Sequence, residues 1–138
     1  MFSKSCEYGL RAAIFIAQQS KLKNKVSLST ISEEINSPQA FTAKILQQLT
    51  RNKIIKSIKG PYGGFMVEEE KMSTQLSEIV NVLDGDSIFT GCGLGLRQCD
   101  ASAPCPLHFE FVEVKENMRG YGNLAPMFFE VPLLDESW

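Results

Sequence analysis

Three cysteines and a histidine crowd into one short stretch of this chain: Cys92, Cys99, Cys105 and His108, spaced C-x6-C-x5-C-x2-H. Thiolates are the natural ligands of iron–sulfur clusters, and thiolate with imidazole also suits zinc. Residues 86–105 read as a loop, and a loop that long in so small a chain is unusual unless it has a task. Three cysteines on one loop can converge on a metal. Ligand type alone does not separate iron from structural zinc. A cluster-free switch, with a disulfide forming between loop cysteines, is the third chemistry open to them. His108 is the sole histidine, and the fourth cysteine, Cys6, lies in an apolar helical stretch where an inert buried thiol is the default.

Compartment bears on this choice. No run of about 18 apolar residues suggests a membrane span. Met1 to Tyr8 lacks the apolar core of a secretory signal. The expectation is a cytoplasmic protein with no membrane contact, where reduced thiols favour metal or redox chemistry over structural disulfides.

The second set of chemistry-bearing residues is basic. The whole chain carries a net charge of −2. Residues 1–66 sum to +7, whereas residues 67–138 sum to −9. Such asymmetry suggests a basic module facing nucleic acid and an acidic remainder.

These residues need elements to position them. Cys6 to Gln19 is apolar at helical spacing and broad enough to be buried on more than one side. Ser27 is a good N-cap for a short helix with Leu28, Ile31 and Ile35 on one face. Ser37-Pro38 restarts a helix, with serine as cap and proline in the first turn, and Phe41, Ile45 and Leu49 form its buried stripe. Two short helices joined by a tight turn, the second amphipathic, make a helix-turn-helix. Ile54 to Lys59 reads as a strand, Gly60-Pro61-Tyr62-Gly63-Gly64 as a turn, and Phe65-Met66-Val67 as a returning strand. That adds a wing. Leu76, Ile79, Val80 and Leu83 mark a fourth helix ended by Gly85. Leu107, Phe111, Val114 and Met118 have helical spacing and predict a further helix, although Leu107 to Phe111 also alternates like a strand. The tail from Gly120 is broken by Pro126 and Pro132, yet is apolar enough to pack on something.

The outer face of the third helix carries Ala40, Ala43, Lys44, Gln47 and Arg51, with Ser37 and Gln39 at its leading end. In helix-turn-helix proteins that end enters the major groove. Gln39 and Gln47 can read adenine edges, and Lys44 can reach guanine or a phosphate. Lys56 and Lys59 flank the wing, whose tip bears Tyr62 and can lie in the minor groove or along phosphates. The basic loop Lys21 to Lys25 is a further possible phosphate contact. No hydrolase elbow, phosphate-binding Walker loop or catalytic carboxylate pair is present, which argues against an enzyme.

The chain resembles the IscR/NsrR-type (Rrf-two) family of iron–sulfur winged-helix transcription regulators. The resemblance rests on Tyr8-Gly9-Leu10-Arg11-Ala12, Leu28 to Glu33, Lys44-Ile45-Leu46 with Leu49, the wing sequence Lys59-Gly60-Pro61-Tyr62-Gly63-Gly64-Phe65, the cysteine triplet and Cys105-Pro106-Leu107-His108. It covers roughly residues 1–118. The first cysteine gap is one residue longer than is usual there, and Gly120 and Gly122 shorten the last helix.

The resemblance implies a mainly α fold with a small β-hairpin wing: a winged helix-turn-helix domain (1–85), a cluster-binding loop (86–106), and a dimerisation helix with tail (107–138). It implies a homodimer on a pseudo-palindromic double-stranded operator, sensing iron–sulfur, redox or nitric oxide status. Leu107, Phe111, Val114 and Met118 would face the mate. It assigns Cys92, Cys99, Cys105 and His108 to the cluster, and histidine ligation favours a 2Fe-2S over a 4Fe-4S centre, with zinc the lesser alternative. Some members instead take a carboxylate near the partner's N-terminus. That position is Tyr8 here, so its neighbours Cys6 and Glu7 are alternative fourth ligands.

Overall fold

The computed structural model describes residues 2–85 and 101–119. Its first helix, α1 (Lys4–Lys21), starts at Ser3, whose hydroxyl accepts the Cys6 backbone N–H at 3.1 Å. The run Ala12 to Ala17 is wholly buried, as the breadth of its apolar surface predicts. Gly9 lets α1 approach α4 and α3 closely. A Cβ there would fall 2.1 Å from a Leu83 methyl and 3.3 Å from Ile45.

Ser27 caps α2 (Leu28–Glu34), its hydroxyl accepting from Thr30 N at 3.2 Å. Asn36 makes the turn at φ 52°, a conformation asparagine tolerates better than most residues. The next cap departs from expectation. Helix α3 (Gln39–Arg51) begins one residue late, with Pro38 as N-cap and no side chain closing it. Pro38 holds an extended ψ of 139°, so the helix cannot include it, and the Ser37 hydroxyl reaches only the Pro38 carbonyl at 3.5 Å. The buried stripe is also wider than expected. Thr42 and Leu46 join Ile45 and Leu49 inside, and Thr42 satisfies its hydroxyl on Pro38 O at 2.9 Å. Phe41 is half-buried, its ring edge-on to Tyr8 at 5.7 Å.

The strands are shorter than the sequence suggests: β1 (Lys56–Ile58) pairs antiparallel with β2 (Gly64–Met66), with Ser57 opposite Phe65. Ile54 and Ile55 precede the strand and are buried in the core. One pairing was not foreseen. Val26 and Phe65 exchange both backbone hydrogen bonds, at 3.1 and 2.7 Å, adding a rudimentary third strand. Glycine is required at the wing's inner corner, because a Cβ on Gly63 would sit 2.0 Å from the Ile58 carbonyl oxygen. Past the hairpin, Val67 N donates to the Ser20 hydroxyl at 2.8 Å, tying the wing's exit to α1.

After a 3-10 turn at Glu69–Lys71, α4 (Leu76–Asp84) opens with a reciprocal capping box between Gln75 and Glu78. It packs on α1 and α3 through the buried Ile79 and Val80. Gly85 ends it at φ 74°, ψ −172°, a region essentially confined to glycine. The last described element, α5 (His108–Arg119), is the helix that the spacing predicts, and it touches α4. The described residues thus form five helices and one hairpin: a mainly α, winged helix-turn-helix fold followed by one further helix. None of these helices is long and apolar enough to cross a membrane.

Candidate nucleic-acid interface and metal centre

Burial of Thr42, Ile45, Leu46 and Leu49 turns the other side of α3 outward. Gln39, Ala40, Lys44, Gln47 and Arg51 are exposed, and Ser37 and Ala43 are half-buried. Ala43, Gln47 and Arg51 share a cleft of about 360 Å³ with Leu28, Thr50, Ser57 and Phe65, where the helix meets the hairpin. Ser37 and Gln39 lie in a separate polar cleft of about 310 Å³ between α2 and α3, with Ser29, Ser32, Glu33 and Asn36. There the Gln39 side-chain N–H donates to the Ser29 hydroxyl at 3.0 Å. Periodicity could not have placed Ser29 or Ser57 in these clefts, because their positions depend on how α2 and the hairpin cross α3.

On the wing, Tyr62 projects at 90% exposure, and the tip is closed by a bond from Gly63 N to Gly60 O at 3.0 Å. Lys59 is exposed. Lys56 is engaged, its ammonium 3.1 Å from a Glu68 carboxylate oxygen. It lines a third cleft with Lys53, Ser57, Glu68 and Lys71 among others. The structure therefore gathers the expected DNA-facing residues along α3 and the hairpin, with Lys56 holding a competing partner.

Cys92 and Cys99 lie outside the described residues, as does the tail from 120. Cys105 and His108 bracket the entry to α5. Cys105 is buried at 9% exposure, His108 is half-buried, and His108 N donates to Cys105 O at 3.0 Å. That bond closes the turn that leads into α5, with Cys105 before it and His108 as the first helical residue. The His108 ring also lies edge-on to Phe109, 5.0 Å between centroids. A soft and a borderline donor held together by rigid backbone fit the ligand set that the resemblance implies. No group of three or more metal-binding side chains occurs among the described residues.

The alternative fourth ligands are engaged elsewhere in the subunit. Cys6 is fully buried, and its thiol donates to the Asp84 carboxylate. Burial, the Asp84 charge and that bond push it up from 9.0 to about 12, so it stays a neutral thiol. Glu7 pairs with Lys4 at 3.2 Å.

The expected mate-facing stripe divides. On α5, His108, Phe111 and Lys115 are half-buried along one line, the side turned inward. Leu107 (43%) and Val114 (51%) are exposed on one flank, and Phe109 (64%) and Val112 (42%), which the stripe omitted, on the other. The side chain of Met118 lies outside the described residues.

Comparison with known proteins agrees with this architecture. A family model described as Rrf2, iron-dependent transcriptional regulator, matches residues 2–122. The chain is 24% identical over 116 residues to the transcriptional regulator IscR of Klebsiella pneumoniae, covering 84% of this chain and 70% of that one. Among solved structures, CymR, the global cysteine regulator of B. subtilis, superposes with a TM-score of 0.74 at 19% identity, covering 93% of this chain and 95% of that one. T. potens IscR superposes at 0.68 with 22% identity, covering 92% and 85%. A model match over most of the chain, on a winged helix-turn-helix with its recognition helix exposed, places this protein in the Rrf2 family of DNA-binding transcriptional regulators, which are not enzymes.

Proposed function

We propose that this protein is a homodimeric, cytoplasmic repressor or activator that senses iron–sulfur, redox or nitric oxide status through a cluster bound at Cys92, Cys99, Cys105 and His108. The observation that carries the proposal is the backbone bond from His108 N to Cys105 O, which sets the buried Cys105 and His108 at the two ends of the turn leading into α5. Thiolate and neutral imidazole together favour a 2Fe-2S centre, and replacing one thiolate by a neutral ligand raises its reduction potential. When bound, such a cluster supplies a redox- and ligand-sensitive centre. The chain's own residues do the rest: Cys105 shields its thiol from water, and the start of α5 orients His108.

The functional division is 1–85 for DNA, 86–106 for the cluster and 107–138 for dimerisation. On the DNA side, Ser37, Gln39, Ala40, Ala43, Lys44, Gln47 and Arg51 face the major groove of each half-site. Lys56, Lys59 and Tyr62 follow the flanking backbone or minor groove. Exposed Leu107 and Val114, with Met118, contribute the mate-facing surface, and so do Phe109 and Val112, because exposed large apolar side chains this closely spaced call for a cover.

Purification without oxygen, followed by absorption and electron paramagnetic resonance spectra, tests the proposal. The visible absorption is expected to vanish in Cys92→Ala, Cys99→Ala or Cys105→Ala, to shift in His108→Ala, and to persist in Cys6→Ala. Stoichiometric zinc in a colourless protein would refute the cluster. Operator affinity of the loaded protein and of the triple cysteine variant should differ by about five- to 150-fold. Equal affinities, with both proteins folded dimers, would leave the metal structural and remove the sensory role.

A further inference from the structure

Gln39 opens the recognition helix, and Ser29 lies in the first turn of α2. Their side chains meet across ten positions of sequence, the Gln39 N–H donating to the Ser29 oxygen at 3.0 Å. The neighbouring hydroxyls of α2 are committed to their own helix: Ser27 caps it, and Ser32 donates to Leu28 O at 2.9 Å. Ser29 instead reaches across to α3.

A primary amide carries two N–H donors and one carbonyl acceptor. Bidentate recognition of adenine uses the carbonyl and one N–H. The second N–H is hydrated while the face is open to solvent. When a base docks and water leaves, a donor without a partner costs free energy. The Ser29 oxygen is already in place as that partner. With the Gln39 nitrogen donating, the bond fixes the plane of the amide and leaves its carbonyl and other N–H unused by Ser29. A long side chain held in this way loses less freedom on binding.

We propose that Ser29 is a specificity-determining positioning residue that holds the Gln39 amide with its carbonyl and one N–H presented to an adenine edge in the major groove. Ser29 itself touches no base. The proposal rests on the DNA-reading face described under the proposed function.

The test is selection from a random-sequence duplex library by the full-length protein and its variants, each purified without oxygen. The wild type is expected to enrich adenine at one position of each half-site. Gln39→Ala should flatten that position by about five- to a hundredfold. Ser29→Ala should flatten the same position by about two- to tenfold, leave every other position as it was, and add nothing in the double variant with Gln39→Ala. Ser29→Thr should restore the preference. Gln39→Glu should exchange adenine for cytosine, because a carboxylate only accepts and cytosine offers an amino group.

A wild-type profile in Ser29→Ala would overturn the proposal. So would uniform weakening on all sequences, which is the signature of a phosphate contact, or additive losses in the double variant. If Gln39→Ala keeps the wild-type preference, Gln39 is not a reader and its place on the DNA-reading face falls as well. If Gln39→Ala flattens the position while Ser29→Ala does not, only the positioning role fails.

Discussion

Asp84 closes the first turn of α1 from the far end of α4: its carboxylate accepts the Ser3 backbone N–H at 3.0 Å and the Ser3 hydroxyl as well. The two residues are 81 positions apart. A carboxylate at a helix N-terminus is favoured by the helix dipole and by the unpaired amides there. Asp84 is also the last residue before Gly85, so the chain enters the cysteine segment from a fixed point.

Replacing Asp84 with alanine removes this clamp and leaves the start of α1 with the Ser3 cap alone. The expected loss is about 1–2 kcal/mol of stability, read as a lower midpoint in urea denaturation with the slope unchanged. A variant as stable as the wild type would show that water replaces the carboxylate without cost.

Cys6 makes stability depend on alkali. Its thiol is neutral when folded and titrates at about 12, against 9.0 as the ordinary value. A raised folded value means that the contribution is intact below pH 9 and is lost as pH rises toward 12. Wild type and Cys6→Ala should therefore differ by a constant amount at pH 7 and 8, whereas above pH 9 the wild type should lose stability faster. Parallel curves to pH 11 would contradict this assignment.

Gly63→Ala should damage the wing while sparing the helical core. The added methyl meets backbone, not a side chain that could swing aside. A local cost of about 1–3 kcal/mol is expected, with near-native helical circular dichroism and weaker binding to every duplex tested. Unchanged DNA affinity would mean that the wing takes no part in binding.

Glu68→Gln should release Lys56 for a phosphate. As an exposed pair, Lys56–Glu68 contributes about 0–1 kcal/mol to folding, so the melting curve should barely move. DNA affinity at low salt should rise about two- to fivefold. Lys56→Ala should lower it and reduce the salt slope by about one. If neither variant alters DNA binding, Lys56 belongs to the fold alone.

The helix order, the wing and the buried run of α1 were legible in the sequence because each rests on periodicity or on glycine placement. The start of α3 was misjudged by one residue, because the serine–proline pair fits either register and only the backbone angle of Pro38 decides. The exposure pattern along α5 was not legible. Spacing finds an apolar face but cannot say that Phe111 is half-buried while Phe109 and Val112 stay exposed. Ser29–Gln39, Lys56–Glu68 and Cys6–Asp84 were all invisible, since each joins residues brought together only by helix crossings or strand ends.

The double hydrogen bond between Val26 and Phe65 has a mechanical consequence. Val26 immediately precedes the cap of α2, so the hairpin is bolted to the front of the helix-turn-helix, and Ser20 fastens its exit to α1. Moving the wing on its own would break these bonds. Reading helix and wing are thus joined as one unit, and in the proposed homodimer a signal that alters DNA affinity would work on the pitch and separation of two such units. The duplex would sense that signal as a change of helical phase between half-sites, so inserting or deleting a base pair at the operator's centre should imitate it.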